Sequence, residues 1–416
     1  MELSQKELQR VKVIENAVAG RLTVRQAGEL LGLSQRQVKR LKQKYEPGDV
    51  DWVKHGNVGS KKPWGLSQAV AERIVKLARE VYVGFNDSHL TEKLVEAEKI
   101  AVSRETVRRR LRAAGIASPQ KRRARKYRSR RERKPQLGMM LLTDASREDW
   151  LEGRGPALTL IGYQDDATSR VLQARFQLAY EDTLGYMRGL RQVVEEHGIP
   201  LSLYRDQHGT FQRNDKHWTV EEQLTGRQTP TQMGRVLEEL GIESIRALSP
   251  QAKGRIERMW KTFQDRLRSE LRLVGAKNVE EANRTLEKFM GSYNRKFGVA
   301  PKQTGGMFRR ADRRLNLDRV FSLKYERTVG RDHVVEFGSR SLQLPPGKNG
   351  TGYAGQKVEL SHQLNGELHV WAGERHLMQI SIPLDYAPGL APKRPQARKQ
   401  KSRIYVLGGR PAMAAR

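Results

Sequence analysis

The chain has 416 residues, 37% of them hydrophobic and 30% charged, with a formal net charge of +31 and no cysteine. The absence of cysteine excludes disulfides, thiolate-bound zinc and a thiol nucleophile. No apolar run approaches the roughly 20 residues that span a bilayer, and the opening MELSQKELQR lacks an apolar signal core. A membrane role is therefore not expected, and a cytoplasmic, nucleoid-associated location is. The excess positive charge calls for a polyanionic partner, and nucleic acid is the natural one.

Residues 1–46 read as three short helices. Ser4 with Glu7, Thr23 with Gln26 and Ser34 with Gln37 each have the spacing of a capping box. Leu8, Val11, Ile14 and Val18 form the apolar face of the first helix, Ala27, Leu30 and Leu31 that of the second, and Val38 and Leu41 that of the third. Gly32-Leu33 makes the turn before the last helix, whose outer face carries Gln35, Arg36, Lys39 and Arg40. This is the pattern of a helix-turn-helix whose last helix enters a DNA groove. Residues 47–65, rich in Gly, Lys and Asn, read as a linker. Residues 66–117 repeat the plan, with Ser103 capping a last helix that presents Arg104, Arg108, Arg109 and Arg112. A basic run follows at 118–136, in which Arg122 and Arg123 are candidate phosphate contacts.

From residue 137 the pattern changes. GMMLLTD, ALTLIGYQDD and RVLQARF read as strands of a meander, and helices and strands then alternate to residue 300, as in a mixed α/β domain. Phe211 to Pro230 shows no clear period and reads as a loop. A connector spans 301–324. Short strands separated by turn signals from 325 to 384 predict a small antiparallel barrel, and 385–416 reads as a basic disordered tail.

Three carboxylates stand out. Asp144 and Asp206 each end a short apolar run, and Glu257 lies beside the apolar stripe Ile256, Met259, Trp260, Phe263 and Leu267 of a long helix. Lys253 and Lys261 flank Glu257 by one helical turn on either side. If strands and helix come together, three acids would repel one another unless divalent cations bound among them. Carboxylate oxygens favour Mg²⁺, with Mn²⁺ as a substitute. Two such ions about 4 Å apart serve in-line displacement at phosphorus, and the lysines would hold phosphate beside them. The Asp165-Asp166 pair is a competing carboxylate site that reads as structural.

The stretches LLTDASREDWLEGRGPALTLIGYQDDATSRVL, LYRDQHGTF, LSPQAKGRIERMWKTFQDRL and YNRKFGVAP resemble bacterial insertion-sequence transposases of the ISNCY type. These are relatives of retroviral integrases and phage Mu transposase. The resemblance implies an RNase H-like core with a catalytic and metal-binding triad at Asp144, Asp206 and Glu257. It also implies cleavage and joining of double-stranded DNA by a dimer or larger synaptic assembly, without a nucleotide cofactor. Two features stand out: the interval from Asp206 to Glu257 is longer than in the retroviral pattern and resembles the ISNCY-type one, and Ala145 stands where glycine is common. The alternatives are a transposase-derived DNA-binding regulator that no longer cuts, and a nuclease acting on RNA–DNA hybrids.

Overall fold

The computed structural model describes residues 3–53, 66–119, 131–178, 180–213, 217–247, 254–347 and 350–386. Contacts divide the chain into two compact units between Ile74 and Val75. In the first, α1 (Gln5–Val18), α2 (Val24–Leu31) and α3 (Gln35–Lys44) form a small bundle. All three expected capping boxes are formed, at Ser4, Thr23 and Ser34. Each satisfies backbone N–H groups that the first turn leaves without partners. Gly32 takes a left-handed conformation (φ +62°) and turns the chain between α2 and α3. The core is Ile14, Ala17, Ala27 and Val38. Leu8, Val18 and Leu30, expected inside, are exposed, because the bundle has too few layers to cover a stripe wider than its contact with the other helices.

The division falls inside α4 (Gln68–Glu80). The second unit continues through α5 (Asp87–Glu96) and α6 (Arg104–Ala113). Its centre is one five-stranded sheet of β1 (Leu141–Glu148), β2 (Leu158–Asp165), β3 (Val171–Leu178), β4 (Ser202–Arg205) and β5 (Glu243–Arg246). The strand order is β3-β2-β1-β4-β5. The first three are antiparallel, while β4 runs parallel to β1 and β5 parallel to β4. This is the RNase H-like arrangement. Parallel neighbours need helical crossovers, and α7 (Thr183–His197) and α9 (Gln232–Glu239) supply them.

Helices cover both faces of the sheet. One layer packs α10 (Gly254–Leu273) and α11 (Val279–Phe297) on Leu142, Leu158, Leu160 and Phe176. The other packs α7 and α9 on Leu141, Ile161, Tyr163 and Leu203. That is why β2 is buried along its whole length. The stretch read as a structureless loop contains a short helix, α8 (Val220–Thr225), started by a capping box between Thr219 and Glu222.

After α12 (Leu317–Val320) come β6 (Ser322–Thr328), β7 (Val334–Phe337), β8 (Arg340–Gln343), β9 (Lys357–Gln363), β10 (Glu367–Ala372) and β11 (Arg375–Ser381). They form an antiparallel sheet ordered β11-β10-β9-β6 and a β7-β8 hairpin. Both contribute to one core, including Val335, Phe337, Leu360 and Val370. Among the described residues the two ladders are not joined into a closed barrel. The tail from 387 onward lies outside the described residues.

Candidate active site

Asp144 sits at the fourth position of β1, half-buried, with Gly162 of β2 directly across the ladder. A Cβ on Gly162 would lie 3.0 Å from the Trp260 ring and 3.3 Å from Met259 Cε. Glycine there lets α10 lie close against the strand pair. Trp260 uses that approach, donating its indole N–H to Asp144 Oδ2 at 3.2 Å. Asp206 follows the last residue of β4. In the parallel ladder Leu141 faces Leu203 and Leu142 faces Tyr204. The pairing stops there, with Asp144 and Asp206 each two residues beyond it. Asp206 Oδ1 accepts the His208 N–H at 2.9 Å, a local turn that folds the loop back at the strand end.

Glu257 lies in the first turn of α10 and is exposed. It precedes Trp260 by three residues, so it neighbours on the helix surface the side chain that touches Asp144. Lys261 is exposed one turn further along. Lys253 lies outside the described residues, as do Arg122 and Arg123. Among the described residues, no three His, Asp or Glu side chains gather closely enough to hold a metal ion. Asp144 thus lies on β1, Asp206 just past the end of the neighbouring β4, and Glu257 on the helix packed on β1, without a closed cage. The donor chemistry, carboxylate oxygen throughout, suits a hard divalent cation.

Beside Asp144 stands a group that the sequence reading passed over. Glu181, just ahead of α7, accepts the Tyr186 O–H at 2.6 Å and pairs with His208 Nε2 at 3.2 Å. Burial, then the negative charges of Glu181 and Asp144, push the Tyr186 phenol well above its usual range, so it stays a neutral donor. These contacts fasten the start of α7 to the loop after Asp206. The available signal was His208 itself, two residues beyond a candidate acid. Arg205 supports the same loop from below, donating to the Asp206 carbonyl at 3.0 Å and to Ser244 Oγ at 3.0 Å.

The Asp165-Asp166 pair is fully buried. Asp165 closes its own turn, accepting from Thr168 N–H at 2.8 Å, Thr168 Oγ1 at 2.7 Å and Gly138 N–H at 3.0 Å. Burial raises its pKa against those bonds. Asp166 binds arginines instead, Arg131 from the end of the basic run and Arg255 from α10.

On α3, Gln35, Arg36, Lys39 and Arg40 are all exposed. On α6, Arg104, Arg108 and Arg109 are exposed, and the last two pair with Glu105. Hydrogen bonds from Arg108 and Arg109 hold the Glu105 carboxyl down at about 2. Arg112, expected on the same outer face, turns inward to Asp87 at 2.7 Å. No helix among the described residues is long and apolar enough to cross a membrane.

Comparison with known proteins bears on the family. A family described as a helix-turn-helix domain matches residues 9–48, which hold α2, α3 and most of α1. A protein of Sinorhizobium fredii named as a transposase, y4bF, is 34% identical over 377 residues, covering 89% of this chain and 80% of its own. The transposase for insertion sequence IS1202 of Streptococcus pneumoniae is 30% identical over 372 residues, covering 80% and 77%. Among solved structures, the catalytic core domain of BIV integrase aligns over 39% of this chain and 88% of its own, at 16% identity with a TM-score of 0.27. The Mos1 strand transfer complex aligns over 71% and 97%, at 13% identity with a TM-score of 0.19. Those superpositions are loose, and the assignment rests on the two sequence relatives: the chain belongs to the transposases of bacterial insertion sequences.

Proposed function

We propose that this transposase binds the inverted ends of its element, cleaves DNA to free 3′ ends and joins them to target DNA, with Asp144, Asp206 and Glu257 as the metal-binding triad. What supports the reading is the parallel pairing of β1 with β4, which leaves Asp144 and Asp206 each two residues past the paired positions, together with α10 laid against Asp144 through Trp260. Held by the three carboxylates, Mg²⁺ or Mn²⁺ supplies Lewis acidity for in-line displacement at phosphorus. The chain's own residues do the rest. Trp260 fixes one oxygen of Asp144 by its N–H, and the Glu181–His208 pair holds the loop that carries Asp206. Lys261, and Lys253 by its place in the sequence, add positive charge next to the phosphate. The exposed basic faces of α3 and α6 hold the ends, by base contacts from Gln35 and by Arg36, Lys39, Arg40, Arg104, Arg108 and Arg109 on bases or phosphates. Arg122 and Arg123, in the basic run that follows α6 in the sequence, contact phosphates. Handling two ends together requires a dimer or larger assembly, and exchange of phosphodiesters needs no nucleotide cofactor.

The test uses duplexes from the flanks of the protein's own gene, incubated with purified protein and Mg²⁺ or Mn²⁺. Nicks are mapped at nucleotide resolution, with Glu257→Gln alongside. The expected result is metal-dependent nicking at matching inverted ends, and a variant that binds those ends but does not cut. Equal cutting by variant and wild type removes Glu257 from the triad. Specific binding without nicks under either metal replaces this reading with that of a DNA-binding regulator.

A further inference from the structure

Asp166 carries a set of contacts that the triad does not use. Its side chain is fully buried at the turn between β2 and β3. The carboxylate takes Arg131, which reaches both oxygens, Arg255 Nη1 on Oδ1 at 2.5 Å, and the Lys134 backbone N–H on Oδ2 at 2.8 Å. The second arm of Arg255 donates to the Arg131 carbonyl at 2.5 Å. Arg133 closes the group by donating to the Asp166 carbonyl at 2.9 Å and Ser169 Oγ at 2.7 Å. Three segments meet on one carboxylate: the end of the basic run, the β2–β3 turn and the first turn of α10.

Arg255 is the second residue of α10, and Glu257 is two residues further on. At 100° per residue the two point to nearly opposite sides of the helix. One is anchored inward on Asp166 while the other stays exposed at the site. A helix's first turn holds backbone N–H groups without partners inside the helix, and it frays readily. Glu257 lies within that turn, so its position depends on what pins the turn down. Burying a carboxylate between two guanidiniums adds little stability over an apolar contact of the same size, but it specifies placement and fails badly when one partner is lost.

We infer that Asp166 is a positioning residue for Glu257, acting through Arg255 to hold the first turn of α10 against the sheet. The inference rests on Glu257 being part of the triad. Through Arg131 the same carboxylate links Glu257 to the end of the basic run, so phosphate binding there and metal binding at Glu257 share one anchor.

The test compares full-length wild type with Asp166→Asn, Arg255→Gln, Arg255→Lys and, as a control ion-pair loss in the C-terminal sheet, Glu359→Gln. Two quantities are read: amide hydrogen exchange in a peptide covering residues 254–261, and the half-saturating Mn²⁺ concentration for nicking an end duplex. Asp166→Asn and Arg255→Gln should each speed exchange in that peptide and raise the Mn²⁺ requirement, both by roughly tenfold or more, since small misplacements of a reacting group are costly. End binding should stay near wild type in Arg255→Gln, where Asp166 still holds Arg131, and Arg255→Lys should recover part of both effects. Glu359→Gln should move neither. Should Asp166→Asn fail to fold, Arg255→Gln reads the same contact with the carboxylate still held by Arg131 and the Lys134 N–H. Exchange and Mn²⁺ requirement unchanged in Arg255→Gln overturn the inference. Failure of wild type to nick instead removes the catalytic reading, and the exchange measurement still decides whether Asp166 holds the turn.

Discussion

Gly162→Ala tests the packing on which the whole site depends. The added methyl would stand 3.0 Å from Trp260 Cη2 and 3.3 Å from Met259 Cε, closer than carbon atoms pack without adjustment. Neither neighbour has free space, since both are buried in the layer between α10 and the sheet. Overpacking of this kind costs about 1–3 kcal/mol. Reduced backbone freedom of the unfolded chain returns about 0.4–1 kcal/mol. The net expectation is a loss of up to about 2.6 kcal/mol, or a fall in melting temperature of up to about 10 °C for a domain of this size. A shift of the indole disturbs its bond to Asp144, so the cleavage rate should fall with stability. A double-mutant cycle with Trp260→Phe isolates the cause. Phenylalanine lacks the outer ring that the methyl strikes, so Gly162→Ala should cost little in that background. The assay is thermal unfolding followed by circular dichroism on all four proteins. Additive losses, or a Gly162→Ala variant as stable as wild type, would refute the close approach of α10 to β2.

Replacing Arg36 and Lys39 together with Ala should weaken binding to end duplexes and reduce the dependence of log affinity on log salt by up to about 2, with the melting temperature unchanged because both side chains are exposed. An unchanged slope in a salt titration by fluorescence anisotropy would take α3 off the DNA. Glu270 of α10 predicts an acid limb. Burial presses its pKa up, but His89 at 2.6 Å and Lys93 at 2.8 Å outweigh that and hold the carboxyl below its ordinary value of 4.5. A depressed carboxylate contributes its stability above the unfolded value and loses it as pH falls through the folded one. Urea unfolding of wild type should therefore weaken below about pH 4.5, and Glu270→Gln should flatten that limb while being less stable at neutral pH. Parallel pH profiles for the two proteins would remove Glu270 from the account.

The features legible in the sequence are those written within a few residues of each other. The capping boxes at Ser4, Thr23 and Ser34 formed as read, because a cap is a contract between a side chain and a backbone group three residues away. The stripe Ile256, Met259, Trp260, Phe263 and Leu267 is buried throughout, because helical periodicity sets which side chains share a face. The alternation of strands and helices from 137 to 300 indicated a mixed sheet for the same local reason. Periodicity cannot say how much of a face is covered, and so Leu30 was expected inside and is exposed, while Arg112 was expected outside and turns to Asp87. Nor can it say which strands are neighbours. That the strand carrying Asp144 has as its neighbour the one that leads to Asp206 follows from β4 pairing in parallel beside β1, after a helix and many intervening residues. The partners of Asp166, the Glu181–His208 pair and the fit of Trp260 over Gly162 likewise join segments far apart in the chain. The sequence by itself determined the elements, the basic outer faces of α3 and α6 and the candidate acids. Only the tertiary structure decided which strands are neighbours and what each acid touches, because register and close packing are set by burial of the whole sheet between its two helical layers.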